Sequence, residues 1–272
     1  MTREMMYTQA EMFNNIRFED REKIARLVRY HGLPLWFAEK SNTEKAILQA
    51  SLSTPMHLLA LVAEADVKGR ICPDKEALIE RVEFFRMYCQ DQECYYHPKQ
   101  FPSSHTKFMY FERDDSFSNY PVYDDTQFEA VLMSGLPGAG KDTYILDEFR
   151  DWPVISLDAL REQMGVKPTD NQGTVIQAAK EQAKVMMRRK QSFVWNATNI
   201  TRSLRETLIS LFRIYNARIR IVYIESSHQK LQQQNLGREE IVPPKVIVRL
   251  IQKMEVPDPS EAHEVVYVIH ED

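Results

Sequence analysis

The spacing of apolar positions changes character near residue 125. Before about residue 95 it is helical. Ile24, Leu27 and Val28 mark a helix within 21–30, and Ala46, Ile47, Ala50 and Leu52 mark one within 43–52. Leu58, Leu59, Leu61, Val62 and Ala65 form the expected inner face of a helix over 57–68, and 75–89 reads as a fourth. His31-Gly32-Leu33-Pro34 stops the first of these with glycine and proline. From 126 onward short apolar runs alternate with amphipathic stretches. The pattern predicts strands at 128–134, 153–157, 192–196, 218–225 and 264–269. It predicts helices at 140–150, 158–164, 172–190, 201–215, 227–236 and 243–254. Alternating strands and helices predict a parallel sheet with helices on both faces, an α/β fold preceded by a small all-α segment. Residues 96–125 are rich in Tyr, Ser, Asp and Pro and read as a surface linker docked through Phe108, Tyr110, Phe111, Phe117 and Tyr120. The expected division is therefore 1–95, 96–125 and 126–272.

Between the first predicted strand and its helix lies Gly135-Leu136-Pro137-Gly138-Ala139-Gly140-Lys141-Asp142-Thr143. Strand, glycine-rich loop and helix form the setting of a phosphate-binding P-loop. Gly135, Gly138 and Gly140 let the backbone close around an anion, and the N–H groups of Ala139 to Thr143 point toward it. Lys141 reaches the outer phosphates. The expected ligand is ATP or GTP with Mg²⁺. Asp142 departs from the pattern, because a serine or threonine usually ligates Mg²⁺ there. Asp142 is the candidate metal ligand, directly or through water, with Thr143 as its substitute.

Ligands of such a sheet bind beyond the carboxyl ends of its strands. After the second strand stand Asp158, a candidate general base, and Arg161 one turn later, a candidate contact for the acceptor phosphate. Asp158 also has a purely structural reading as a helix N-cap. The third strand ends Trp195-Asn196-Ala197-Thr198-Asn199, with no carboxylate where a Walker-B aspartate would stand. Thr198 and Asn199 then turn into a helix bearing Arg202 and Arg205, and Asn199 or Thr201 can simply cap that helix. Arg238, after the fourth strand and its helix, is placed to cover the phosphates. Lys184, Arg188, Arg189 and Lys190 read as a solvated helix face, or as one wall of a polynucleotide groove.

Composition narrows the partners. The chain carries a formal charge of −4 over 272 residues. From residue 126 it has 19 basic and 19 acidic residues, which leaves 16 and 20 before it. No bulk basic excess marks it as a general nucleic-acid binder. No apolar run is long enough to span a bilayer, so no membrane partner is expected. Met1-Thr2-Arg3-Glu4 is too polar for a signal peptide, and Cys72, Cys89 and Cys94 suit a reducing compartment; the expected location is the cytoplasm. Cys89, Cys94 and His97 lack a fourth metal ligand and read as incidental.

Two resemblances sharpen the reading. GLPGAGKDT (135–143), SLDALR (156–161), WNATNITRSLR (195–205) and NLGR with VPP (235–244) resemble the polynucleotide 5′-kinases over most of 128–255. That resemblance implies transfer of a nucleoside triphosphate's γ-phosphate to the 5′-hydroxyl of RNA or DNA. It implies Lys141 on the phosphates, Asp158 as base, Arg161, Thr198, Asn199, Arg202 and Arg205 on the acceptor side, and Arg238 in a lid. The family's first lid arginine corresponds to Gln234 here. RYHGLP (29–34) and LLALVAEADVKGR (58–70) resemble the second half of an HD-superfamily phosphohydrolase domain, with Asp66 at a ligand position. The family's first histidine and its His-Asp pair are missing, so no hydrolase activity is expected. The order of the two parts is similar to that of bacterial HD–polynucleotide kinase proteins. The alternatives are a small-molecule or toxin-like P-loop phosphotransferase and a non-catalytic nucleotide-binding module. Oligomeric state is open.

Overall fold

The computed structural model describes residues 1–13, 16–167, 170–237 and 241–270. The chain forms two compact units, Met1–Pro121 with Asp258–Ser260, and Val122–Pro257 with Glu261–Asp272.

The first unit is helical. It contains α1 (Thr2–Thr8), α2 (Phe18–Tyr30), α3 (Leu33–Trp36), α4 (Thr43–Ser51), α5 (Met56–Gly69), α6 (Lys75–Asp91) and α7 (Ser104–Glu112). Its core gathers Ile47 and Leu48 of α4, Leu59, Ala60, Ala63 and Val67 of α5, and Val82, Phe85 and Cys89 of α6. The inner faces differ in part from the expected ones. α5 is apolar around most of its circumference, and its buried stripe is Met56, Leu59, Ala60, Ala63 and Val67, leaving Leu61 and Val62 exposed. On α2, Leu27 packs against the core, but Ile24 and Val28 are exposed.

α7 lies inside the stretch expected to be a linker. Ser103 caps it by accepting from Thr106 N at 3.0 Å. His105, Thr106, Phe108, Met109 and Tyr110 are all buried. Tyr110 Oη and Ser118 Oγ both donate to Glu44 of α4, at 3.0 and 3.2 Å, which holds 96–121 to the helical unit. His31 is exposed and bonds the Val28 carbonyl at 2.7 Å, while Asp66 pairs with Arg70 one turn away. Among the described residues no group of three or more His, Cys, Asp or Glu is gathered to hold a metal.

The second unit is α/β. It runs β1 (Phe128–Ser134), α8 (Lys141–Glu148), β2 (Val154–Ser156), α9 (Leu157–Met164), α10 (Gly173–Arg188), β3 (Phe193–Asn196), α11 (Arg202–Arg213), β4 (Ala217–Ser226), α12 (His228–Leu236), α13 (Pro244–Lys253) and β5 (Glu264–His270). The sheet order is β2-β3-β1-β4-β5 and every pairing is parallel. β1 and β3 are buried almost throughout, as central parallel strands must be. The chain moves from β1 outward past β3 to β2, then back across to β4. Right-handed crossovers in these opposite directions put helices on both faces. The reversal falls at β1, so the loop after β1 opens at the topological switch point. Among the described residues no single helix is long and apolar enough to cross a membrane.

Candidate phosphate-binding site

The glycine loop follows β1 and ends in α8, whose first residue is Lys141. Gly135, Gly138 and Gly140 have φ of 151°, 80° and 100°, values that side-chain-bearing residues rarely adopt. At Gly135 a Cβ would stand 2.4 Å from the Ile224 carbonyl oxygen of β4, a backbone atom that cannot swing aside. Gly135→Ala is therefore expected to cost about 1–3 kcal/mol in stability and to weaken ADP binding, read by thermal unfolding with and without ADP. An unchanged melting temperature would refute the close approach.

Four hydrogen bonds fix the loop. Gly135 N donates to Thr198 O at 2.9 Å, Ser226 Oγ to Ala139 O at 3.3 Å, and Lys141 Nζ to the carbonyls of Gly135 and Leu136 at 3.1 and 2.8 Å. Lys141 is buried within the cradle it helps form. The end of α12 lies beside Gly138, where Gln234 Cβ and Asn235 N would be 3.9 Å from an added Cβ. Asn235 clasps the segment beyond: its Nδ2 donates to Val242 O at 2.8 Å and its Oδ1 accepts from Val242 N at 3.0 Å. Arg238 lies outside the described residues.

Asp142 and Asn196 meet. Asn196 Nδ2, at the end of β3, donates to Asp142 Oδ1 at 2.6 Å. A carboxylate offers only acceptors, so the amide must present its nitrogen. The same Asn196 is paired in register with Ser156 at the end of β2. Two residues later comes Asp158, exposed and ion-paired with Arg161 on α9. The N-cap of α9 is Ser156, whose Oγ accepts from Ala159 N, so capping does not occupy Asp158. Loop, Asn196 and Asp158 thus lie in sequence along one edge of the sheet, the edge where strands end.

The acceptor-side expectations divide. Thr198 is half-buried beside the loop and Arg202 is half-buried at the start of α11. Asn199 and Arg205 are structural instead. Asn199, at φ 43°, is buried and donates through Nδ2 to Met133 O at 2.7 Å, while its own carbonyl accepts from Ser134 Oγ at 3.1 Å. Arg205 is completely buried. It forms a two-pronged ion pair with Glu261, Nε to Oε2 at 2.7 Å and Nη2 to Oε1 at 2.9 Å. Its Nη1 donates to Asn199 O and Glu255 O at 3.1 and 2.8 Å. A guanidinium so enclosed has no surface for an acceptor. Glu255 adds a second hold, accepting from Arg202 N at 2.7 Å beside the Thr201 cap. Glu255 and Glu261 escaped the sequence reading because they sit in a proline-bearing stretch with no periodicity. On α10, Lys184 pairs with Glu181 at 2.8 Å, and Arg188, Arg189 and Lys190 are exposed.

A glycine loop at the switch point of this parallel sheet, with a lysine-headed helix behind it, defines a P-loop fold of the kinase-like kind. The AAA domain family model (AAA_33) matches residues 131–257. Among solved structures the chain is similar to a candidate kinase from Chloroflexus aurantiacus j-10-fl, at 20% identity and TM-score 0.44, over 53% of this chain and 86% of that one. It is similar to a gluconokinase from Sinorhizobium meliloti 1021 at 19% identity and TM-score 0.39, over 53% and 83%. It is also similar to Chaetomium thermophilum Kti12, solved in complex with ADP-AlF3, at 16% identity and TM-score 0.38, over 52% and 88%.

Proposed function

We propose that the α/β unit is a phosphotransferase that moves the γ-phosphate of ATP or GTP onto the 5′-hydroxyl of RNA or DNA. The observation that carries this reading is Asp158. It stands at the strand-end edge that bears the phosphate loop, exposed, held by Arg161 and relieved of capping by Ser156. In the proposed step the acceptor oxygen bonds the γ-phosphorus as the bond to the bridging oxygen of the nucleoside diphosphate breaks. The acceptor proton passes to the Asp158 carboxylate. The loop N–H groups and Lys141 hold the phosphates and offset charge that develops on them. Arg161 meets the acceptor's phosphate, Thr198 and Arg202 border its path, and Arg238 serves as the lid cation.

The Asp142 carboxylate and the adjacent Thr143 hydroxyl are hard oxygen donors, which suit Mg²⁺. Asp142, with the Thr143 hydroxyl next to it, would hold the ion, which when bound neutralises phosphate charge. The polynucleotide acceptor rests on the motif resemblance over 128–255, and the exposed Arg188, Arg189 and Lys190 are available to a phosphate backbone. The test offers γ-labelled ATP and GTP to a 5′-hydroxyl oligonucleotide and to a panel of sugars and nucleosides. Label on the oligonucleotide is the expected result. Label only on a small hydroxyl compound would replace the acceptor class. Bound nucleotide with label on nothing would leave a nucleotide-binding module.

A further inference from the structure

The geometry points to Asp142, steadied by Asn196, as the residue that makes nucleotide binding conditional on a divalent cation. The inference rests on the loop being a nucleotide site, as proposed above. Asp142 is the second residue of α8, at the helix end whose N–H groups attract anions. A carboxylate there competes with an incoming phosphate for the same positive field and repels it. A serine or threonine at this place, with an aspartate at the end of a neighbouring strand, sets the negative charge farther from the loop. Here the two roles are exchanged: the carboxylate is on the loop and the amide is on the strand. Asn196 is buried at the end of β3 and bonds Asp142 Oδ1 at 2.6 Å, so the carboxylate cannot readily turn away. Among the described residues, Asp142 Oδ2 has no protein donor. A cation placed between carboxylate and phosphate turns the repulsion into a bridge. Without the cation the site should resist nucleotide.

The test is calorimetric titration of the full chain with ADP, in EDTA and in excess Mg²⁺, with Mn²⁺ bound to the ADP complex followed by electron paramagnetic resonance. For the natural sequence Mg²⁺ is expected to raise ADP affinity at least about tenfold. In Asp142→Asn, affinity in EDTA should rise and the Mg²⁺ enhancement should fall about tenfold, with the Mn²⁺ signal altered. Asn196→Ala should lose part of the enhancement, because the carboxylate is no longer held. Thermal unfolding of each variant separates these effects from misfolding. The same enhancement in Asp142→Asn as in the natural chain overturns the inference. So does an enhancement lost in Thr143→Val but kept in Asp142→Asn, which would assign the cation to the hydroxyl. Cation-linked ADP binding without transfer to any hydroxyl would defeat the proposed reaction alone. Transfer with unaltered linkage in Asp142→Asn would defeat this inference alone. No ADP binding under either condition would defeat both.

Discussion

Asp158→Asn is expected to slow phosphate transfer by about 10²–10⁴-fold while leaving ADP affinity within about twofold. Asparagine keeps the size of the side chain and a hydrogen-bonding oxygen for Arg161, but it cannot take a proton at neutral pH. The contacts that fix the loop come from Thr198, Ser226 and Lys141 and do not include Asp158. Nucleotide binding therefore has no reason to follow the loss of transfer. Single-turnover transfer of labelled γ-phosphate, set beside calorimetry with ADP, separates the two quantities. A normal transfer rate would end the assignment of Asp158 as base. A parallel loss of ADP binding would make it a structural residue of the loop.

The second large effect is on stability. Glu261→Ala should destabilise the α/β unit by about 3–5 kcal/mol, because it leaves the wholly buried Arg205 charge without its counter-charge. The damage should spread along a defined route. Arg205 holds the Asn199 carbonyl, Asn199 is tied to the end of β1, and the neighbouring Thr198 carbonyl holds Gly135. Urea unfolding should therefore report lower stability, and ADP affinity should fall with it. Replacing both partners by apolar residues, Arg205→Met with Glu261→Leu, should recover much of the loss, since no charge is then stranded. A Glu261→Ala protein of unchanged stability would refute the structural role. If Arg205→Met raised the KM for a polynucleotide and spared stability, the acceptor role expected from sequence would be restored.

The positions of Asp158 and Arg205 differ in how far sequence alone reveals them. The position of Asp158 was legible because a strand end is a local event: an apolar run stops, a polar residue follows and a helix begins. The same local signals placed all five strands and the helices of the α/β unit within a few residues. Arg205 was not legible, because charge in an amphipathic stretch ordinarily marks the wet face. Its partner is 56 residues away in a segment without periodicity. The hydrogen bond between Asp142 and Asn196 spans 54 residues and was hidden for the same reason. In the helical unit the failures have a different origin. α5 is apolar on too many sides for period alone to choose the buried one. α7 is nine residues long, and two of its five buried residues, His105 and Thr106, are polar, so apolar spacing does not mark its inner face.

The Asn235 clasp bears on how the chain between α12 and α13 can vary. One amide side chain joins both backbone groups of Val242 to the end of α12, so the two ends of that segment are pinned seven residues apart in sequence. Once the ends of a loop are pinned, its length matters little: doubling it costs only about 0.6 kcal/mol in closure entropy. Insertions between Asn235 and Val242 are thus expected to cost the sheet little stability, which urea unfolding of a variant lengthened there would check. Asn235 thus separates the stability of α12 from the length of the chain that follows it.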